Sequence, residues 1–266
     1  MSGPTVIVTG ASSGIGRALA LAWGQRGADV ILSARNVADL EEVAESVRSR
    51  GGRPFVHAGD ITLEADRVSL IEAARAATGR LDVLVNCAGR GYYGSVAGID
   101  PEELLALFAL NVVAPLRLAQ LAIDALTRTS GCIVMLSSVA GVVSAPRIGA
   151  YAASKFALEA VSMALRAELG GAGVRVLVVR PGPVDTPFRS NAITTDGVAG
   201  LRPRAAGVQT AEDVAEKTLA AVASGQAVVE TTGFVRIASA AARFTPGVLR
   251  WVTAVMATRK PDHGRE

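Results

Sequence analysis

The chain has 266 residues, half of them apolar, with 28 glycines and only 19% charged side chains. That composition fits one α/β domain around a buried parallel sheet and excludes a disordered or fibrous polypeptide. A net charge of +3 is too small to point to nucleic acid, and the basic excess sits in residues 234–266, where six basic side chains stand against two acidic ones.

Taken in order, the pattern alternates strand and helix. A β-branched run predicts a strand at 5–9, with no charged leader before it. No window reaches ~20 apolar residues free of charge, so the protein is expected to be cytoplasmic and to span no membrane. The turn Thr9-Gly10-Ala11-Ser12-Ser13-Gly14-Ile15-Gly16 follows and opens a helix at 14–26. There glycines allow a tight turn and close approach to a pyrophosphate, and the helix N-terminus offers N–H donors and a positive dipole end. The spacing is G-x-x-x-G-x-G, which departs from the usual dinucleotide fingerprint.

A strand at 29–33 ends in Ala34-Arg35. An NAD enzyme usually places an acid there for the ribose hydroxyls, whereas a guanidinium suits a 2′-phosphate. Arg35 therefore predicts NADP(H), the alternative being a solvated capping charge. A helix at 37–50, a strand at 53–57, a helix at 64–78 and a strand at 82–85 follow, the last running into Asn86-Cys87-Ala88-Gly89. Cys87 and Cys132 both read as buried thiols, and the isolated His57 and His263 offer no metal site.

The helix predicted over 101–126 is apolar except where Asn111 interrupts it, either as a working amide or as a helix-bending core residue. Next comes a strand at 132–136 that ends in Ser137-Ser138, two hydroxyls at the sheet's carboxyl end. In the helix at 150–169, Tyr151 and Lys155 are four residues apart and project from one face. An ammonium beside a phenol favours phenolate, which makes Tyr151 usable as an acid-base group near neutrality. Alone, such a pair is a common helical coincidence. After a strand at 174–179 the chain reads Pro181-Gly182-x-Val184-x-Thr186 within a long loop at 182–207, and a helix follows at 211–224. Strict alternation implies right-handed crossovers and a doubly wound sheet.

Taken together, Thr9-Gly10-x3-Gly14-x-Gly16, Asn86-Cys87-Ala88-Gly89, Asn111, Ser138, Tyr151-x3-Lys155 and Pro181-Gly182-x-Val184-x-Thr186 resemble the short-chain dehydrogenase/reductases of the compact single-domain type, over roughly residues 5–223. The resemblance implies a three-layer Rossmann fold and hydride transfer between a carbonyl or alcohol and a nicotinamide cofactor. It makes Tyr151 the acid-base residue and Lys155 the group that lowers its pKa and binds the nicotinamide ribose. Ser138 would orient the substrate oxygen, and Asn111 would hold a water relaying protons to Lys155. Gly10, Ser12, Ser13, Gly14, Ile15 and Gly16 would cradle the pyrophosphate. Asp60 and Ile61 would meet the adenine, Asn86, Ala88 and Gly89 the adenosine side, and Pro181, Gly182, Val184 and Thr186 the nicotinamide. The family's usual second Asn is Cys87 here.

Residues 1–233 are expected to form the cofactor-binding and catalytic part, and 234–266 a helical extension of it. Two amphipathic helices are predicted there, at 234–244 and 246–258, as a lid or dimer-packing element, a membrane-surface anchor or a core-capping extension. The familiar tetramer is in doubt because Val228-Val229-Glu230 leads into helix, so a homodimer or homotetramer stays open. The expected substrate is a small, apolar carbonyl or alcohol. A scaffold that binds cofactor with little turnover is the alternative.

Overall fold

The computed structural model describes residues 3–195 and 208–244, together with Gly247. Strand β1 (Thr5–Thr9) leads into α1 (Gly14–Gly24), β2 (Asp29–Ala34) into α2 (Val37–Arg48) and β3 (Arg53–Ala58) into α3 (Glu64–Thr78). Strand β4 (Val83–Asn86) is followed by a short β5 (Tyr92–Tyr93), α4 (Pro101–Phe108) and α5 (Ala114–Thr129). Then come β6 (Cys132–Leu136), α6 (Gly149–Leu169), β7 (Arg175–Arg180), β8 (Ile193–Thr194), α7 (Ala211–Ser224), β9 (Val228–Glu230) and α8 (Gly233–Phe244).

Seven strands form one sheet in the order β3-β2-β1-β4-β6-β7-β9, every pairing parallel. Side chains alternate across it, as the strand period requires. Val6, Val8, Val30, Leu32, Val85 and Val134 pack with Leu19, Leu40, Val43 and Leu219 of α1, α2 and α7. Ile7, Ile31, Leu84, Ile133 and Val178 pack with Leu70, Leu118, Leu126 and Leu158 of α3, α5 and α6. Strands apolar on both faces are thus explained by helices on both faces. The strand order reverses between β1 and β4, so the crevice at the carboxyl ends opens there.

The predicted strands hold to within a residue, but three pieces of sheet lie outside the expectation. Strand β9 adds an edge after β7, and β5 pairs with β8 in a separate two-stranded ribbon. Strands this short carry too little period for a sequence reading. The helix expected over 101–126 is continuous to Thr129 but interrupted by a π turn at Ala109–Val113, centred on Asn111. By length and composition alone Pro101–Thr129 could cross a membrane, at mean hydropathy 1.8, but Glu102, Glu103, Arg117, Asp124 and Arg128 leave it no charge-free run of ~20 residues, as expected. Its buried side instead lies against the sheet through Leu118, Ala122 and Leu126, while Arg117 pairs with Glu64 at 2.7 Å. Helix α8 falls where the first of the two C-terminal helices was expected, and the second, expected over 246–258, lies outside the described residues except for Gly247.

Candidate active site

The turn after β1 is built by glycines with separate duties. Gly10 (φ 67°) and Gly14 (φ 51°) occupy left-handed backbone that a side chain would strain, and a Cβ on Gly16 would stand 2.1 Å from the Gly10 carbonyl oxygen. Ser13 caps α1 without a side-chain bond, and no acid occupies the first turn. The first N–H groups and the positive dipole end are therefore left for an anion. Ser12 is half-buried and Ser13 exposed beside them, and Ile15 packs on the core beneath. The loops after β4 and β7 wall the cradle, since Cβ atoms on Gly10 and Gly14 would meet Ala88 at 2.9 Å and Thr186 at 3.2 Å. Thr9 fixes this wall, its hydroxyl accepting from the Cys87 and Ala88 N–H groups at 3.0 and 3.1 Å. The cradle fits a pyrophosphate in both shape and charge.

Past β2, Arg35 is exposed and its charge bears on Asp60, beyond β3. The Asp60 carboxyl sits below the usual range, chiefly because the Thr62 N–H donates to it at 2.9 Å. Buried Ile61 offers its carbonyl to Arg67 at 2.6 Å, so this loop is fixed from within. Buried Asn86 closes β4, donating to the Pro115 carbonyl at 3.4 Å while its Oδ1 has no partner. Beyond β7, Pro181 is buried and Gly182 and Val184 half-buried, Val184 bridging to Gln209.

The catalytic candidates converge from β6, α6 and the π turn. Tyr151 stands in the first turn of α6 with its ring against Phe188, 5.7 Å between centroids. The Ser138 hydroxyl, at the end of β6, accepts from the Ala140 N–H at 3.1 Å and lies near enough to the Tyr151 phenol to lower its pKa. Lys155, one turn on, is buried and donates to the Leu136 carbonyl at 2.7 Å, its Nζ 5.9 Å from the Tyr151 ring centroid. One bond leaves the ammonium with further N–H donors.

Electrostatics depart from the expectation. Burial raises the Tyr151 phenol above its ordinary value, and the Ser138 hydrogen bond is what pulls it the other way. Lys155 is itself lowered to about 8, first by burial, with Cys87 and Glu159 opposing. Taking an ammonium and a phenol out of water costs more than their separation returns.

Asn111 does both things its residue type allows. It sits in the π turn, and its amide accepts from the Arg90 N–H at 2.9 Å and donates to the Arg90 carbonyl at 2.9 Å and the Ser154 hydroxyl at 3.0 Å. The side chain thus anchors the loop after β4. A Cβ on Gly89 would lie 3.2 Å from Asn111 Oδ1 and 3.7 Å from Lys155 Nζ, so a side chain there would crowd the Asn111 amide. Cys87 is half-buried rather than buried, with its thiol pushed up to about 12 by burial, while Cys132 is buried as expected and both are free.

Sequence reasoning missed Tyr93, Phe188 and Arg189. Strand β5 sends Tyr92 into a core with Leu107 and Ala150 and leaves Tyr93 half-buried, close enough to bear on the Tyr151 phenol and to feel Arg189. The available signal was the doublet Tyr92-Tyr93 just after Asn86–Gly89: with Tyr151, it gathers all three tyrosines of the chain at one site.

A parallel sheet with an anion cradle at its switch point and an acid-base cluster across the crevice defines a nucleotide-binding oxidoreductase. The model of the short chain dehydrogenase family matches residues 4–197. The chain belongs to that family. It is 34% identical over 241 residues to the mouse dehydrogenase/reductase SDR family member 7B, covering 86% of this chain and 73% of that protein. It is also 35% identical over 224 residues to glycine betaine reductase ATRR of Emericella nidulans, covering 84% of this chain but only 18% of that much longer protein. Among solved structures, a Sphingobium yanoikuyae short-chain dehydrogenase in complex with NADPH superposes with TM-score 0.77 at 26% identity, over 99% of both chains. A Burkholderia phymatum family member in complex with NAD shares the fold, with TM-score 0.81 at 24% identity over 100% of this chain and 98% of that one.

Proposed function

We propose that the protein interconverts a carbonyl and an alcohol with NADP(H), using Tyr151 as the acid-base group. The observation that carries this reading is the buried ammonium of Lys155, held at the end of β6 by the Leu136 carbonyl, 5.9 Å from the Tyr151 ring centroid, with Ser138 beside the phenol. A bound nicotinamide would supply or accept the hydride. In reduction the Tyr151 phenol gives its proton to the substrate oxygen, and in oxidation it takes that proton back. A phenol held protonated by burial is suited to the first of these. Ser138 holds the same oxygen in line with the phenol. Lys155, with donors to spare, would bind the ribose and stabilise the phenolate as it forms. Because the Asn111 side chain is occupied at Arg90, a water that relays protons to Lys155 would rest on backbone loosened by the π turn.

For the cofactor, Gly10, Ser12, Ser13, Gly14, Ile15 and Gly16 would hold the pyrophosphate and Arg35 the 2′-phosphate. Asp60 and Ile61 would face the adenine, Asn86, Ala88 and Gly89 the adenosine side, and Pro181, Gly182, Val184 and Thr186 the nicotinamide. The relative solved with NADPH supports the preference. The substrate would be small and apolar, in keeping with the Phe188 wall. A homo-oligomer would form on the α5 and α6 faces, where Val113 and Met163 are exposed beside a groove lined by Leu116, Ile123, Val161 and Leu165. The setting would be cytoplasmic, with peripheral membrane contact through the C-terminal region.

The test is consumption of NADPH against ketones, aldehydes and 3-oxoacyl compounds. Tyr151→Phe should lose about 10²–10⁴-fold in kcat, and Arg35→Ala should lower kcat/KM for NADPH while leaving NADH little changed. Higher kcat/KM with NADH in the wild type overturns the cofactor preference. NADPH binding without any turnover, unaffected by Tyr151→Phe, would leave a cofactor-binding scaffold instead.

A further inference from the structure

Helix α8 leaves a large apolar face uncovered. Val235 is fully buried, while Phe234, Ile237 and Phe244 are 58%, 72% and 75% exposed. At about 100° per residue, 234, 237 and 244 fall within an arc of roughly 80°, with Val235 on the far side. Arg236 and Arg243 lie beside this stripe at roughly 120° round the helix, both exposed, and Arg243 stacks on the Phe244 ring at 5.5 Å. The outward half of α8 is thus divided into an apolar strip and a cationic strip, with no acid in the helix. Such a division is unfavourable in water, and it matches a bilayer surface whose acyl boundary takes the rings and whose headgroups take the guanidinium groups.

The placement of α8 gives this face a use. A Cβ on Gly182 would meet Val235 at 3.2 Å, and α8 packs against the 3-10 turn Val139–Gly141 that follows Ser138. Whatever α8 docks on therefore lies near the mouth of the crevice. The sequence beyond α8 keeps the same sign, adding Arg250, Arg259, Lys260 and Arg265 against Asp262 and Glu266.

We infer that α8 is a docking face for an anionic lipid surface, which holds the crevice mouth toward membrane-dissolved carbonyl or alcohol substrates. The docking rests on geometry alone, and its use rests on the reaction proposed above. Charge complementarity selects the anionic bilayer over a second copy of the chain, which would set Arg236 and Arg243 against their own kind.

Co-sedimentation with phosphatidylcholine vesicles, with and without phosphatidylserine, tests it. The full-length protein should pellet with the phosphatidylserine vesicles, and added salt should release it. Both Phe234→Ser/Ile237→Ser/Phe244→Ser and Arg236→Glu/Arg243→Glu should weaken binding about tenfold or more, with thermal melts and NADPH binding showing that each variant is folded. Should the triple variant not fold, the charge variant and the single Phe244→Ser decide. Absence of pelleting with anionic vesicles overturns the inference, as does a folded charge variant that binds like the wild type. So does a light-scattering mass that falls in the variants while vesicle binding is unchanged, since that assigns the face to a second copy. Tyr151→Phe should bind vesicles normally, so a failure of the proposed reaction is read separately from a failure of docking.

Discussion

Lys155 is a costly residue at neutral pH. Its folded pKa of about 8 lies below its ordinary 10.5, so the unfolded chain holds the proton more tightly. The cost is fully present below pH 8 and is relieved as pH rises from 8 to 10.5, where stability should increase. Lys155→Met should therefore stabilise the protein by about 1–3 kcal/mol at pH 7, abolish activity, and remove that rise from a series of urea melts. An unchanged melt would show that the ammonium is well solvated. At the mouth, Tyr93→Phe should lower kcat/KM about two- to tenfold through one lost hydrogen bond. Tyr92→Phe should leave kcat/KM unchanged, because Tyr92 is spent on the core and its hydroxyl has no partner. Equal effects of the two would remove Tyr93 from the substrate site. Tyr151, Lys155 and Ser138 could be proposed from the sequence because six motifs in order resemble one family, whereas Tyr93 needed the ribbon that turns one tyrosine into the core and leaves the next half-buried near Tyr151.

At the scale of elements, the edge strand β9 and helix α6 are joined to β7 through one arginine. Arg180 donates to Glu159 at 2.8 and 2.9 Å and to Glu230 at 3.1 Å, with Glu159 side-chain exposure of only 8%. Arg180→Met strands two carboxylates, and it should cost about 2–4 kcal/mol. Urea midpoints of the wild type and Glu159→Gln/Arg180→Met, in which Glu230 is the one carboxylate that loses its arginine, should differ less than those of the wild type and the single variant. The extents of α1 to α3, α6 and α7 were legible to within two residues because the apolar period is sustained there, with Asn36 and Thr210 marking the starts of α2 and α7 and Gly79 and Gly225 the ends of α3 and α7. The π turn was not, because a buried Asn reads equally well as a bend or as a working group until Arg90 and Ser154 are seen on it.

For the molecule as a whole, cofactor binding is a stability measurement. A ligand at about 100 times its Kd adds about 2.7 kcal/mol, which in a chain of this size raises Tm by roughly 5–10 °C. NADPH should give the larger shift and NADH the smaller at equal concentration, and Arg35→Ala should bring the two together. Equal shifts in the wild type would take Arg35 out of cofactor selection.

By itself the sequence determined the doubly wound architecture and the glycine turn, and it named the residues proposed for acid-base work, because period, spacing and turn chemistry are local and written residue by residue. Only the tertiary structure decided how far burial shifts Tyr151 and Lys155, what Asn111 holds, and which face of α8 is left to solvent. Desolvation and exposure depend on every element that packs against a group, and those neighbours come from distant parts of the chain.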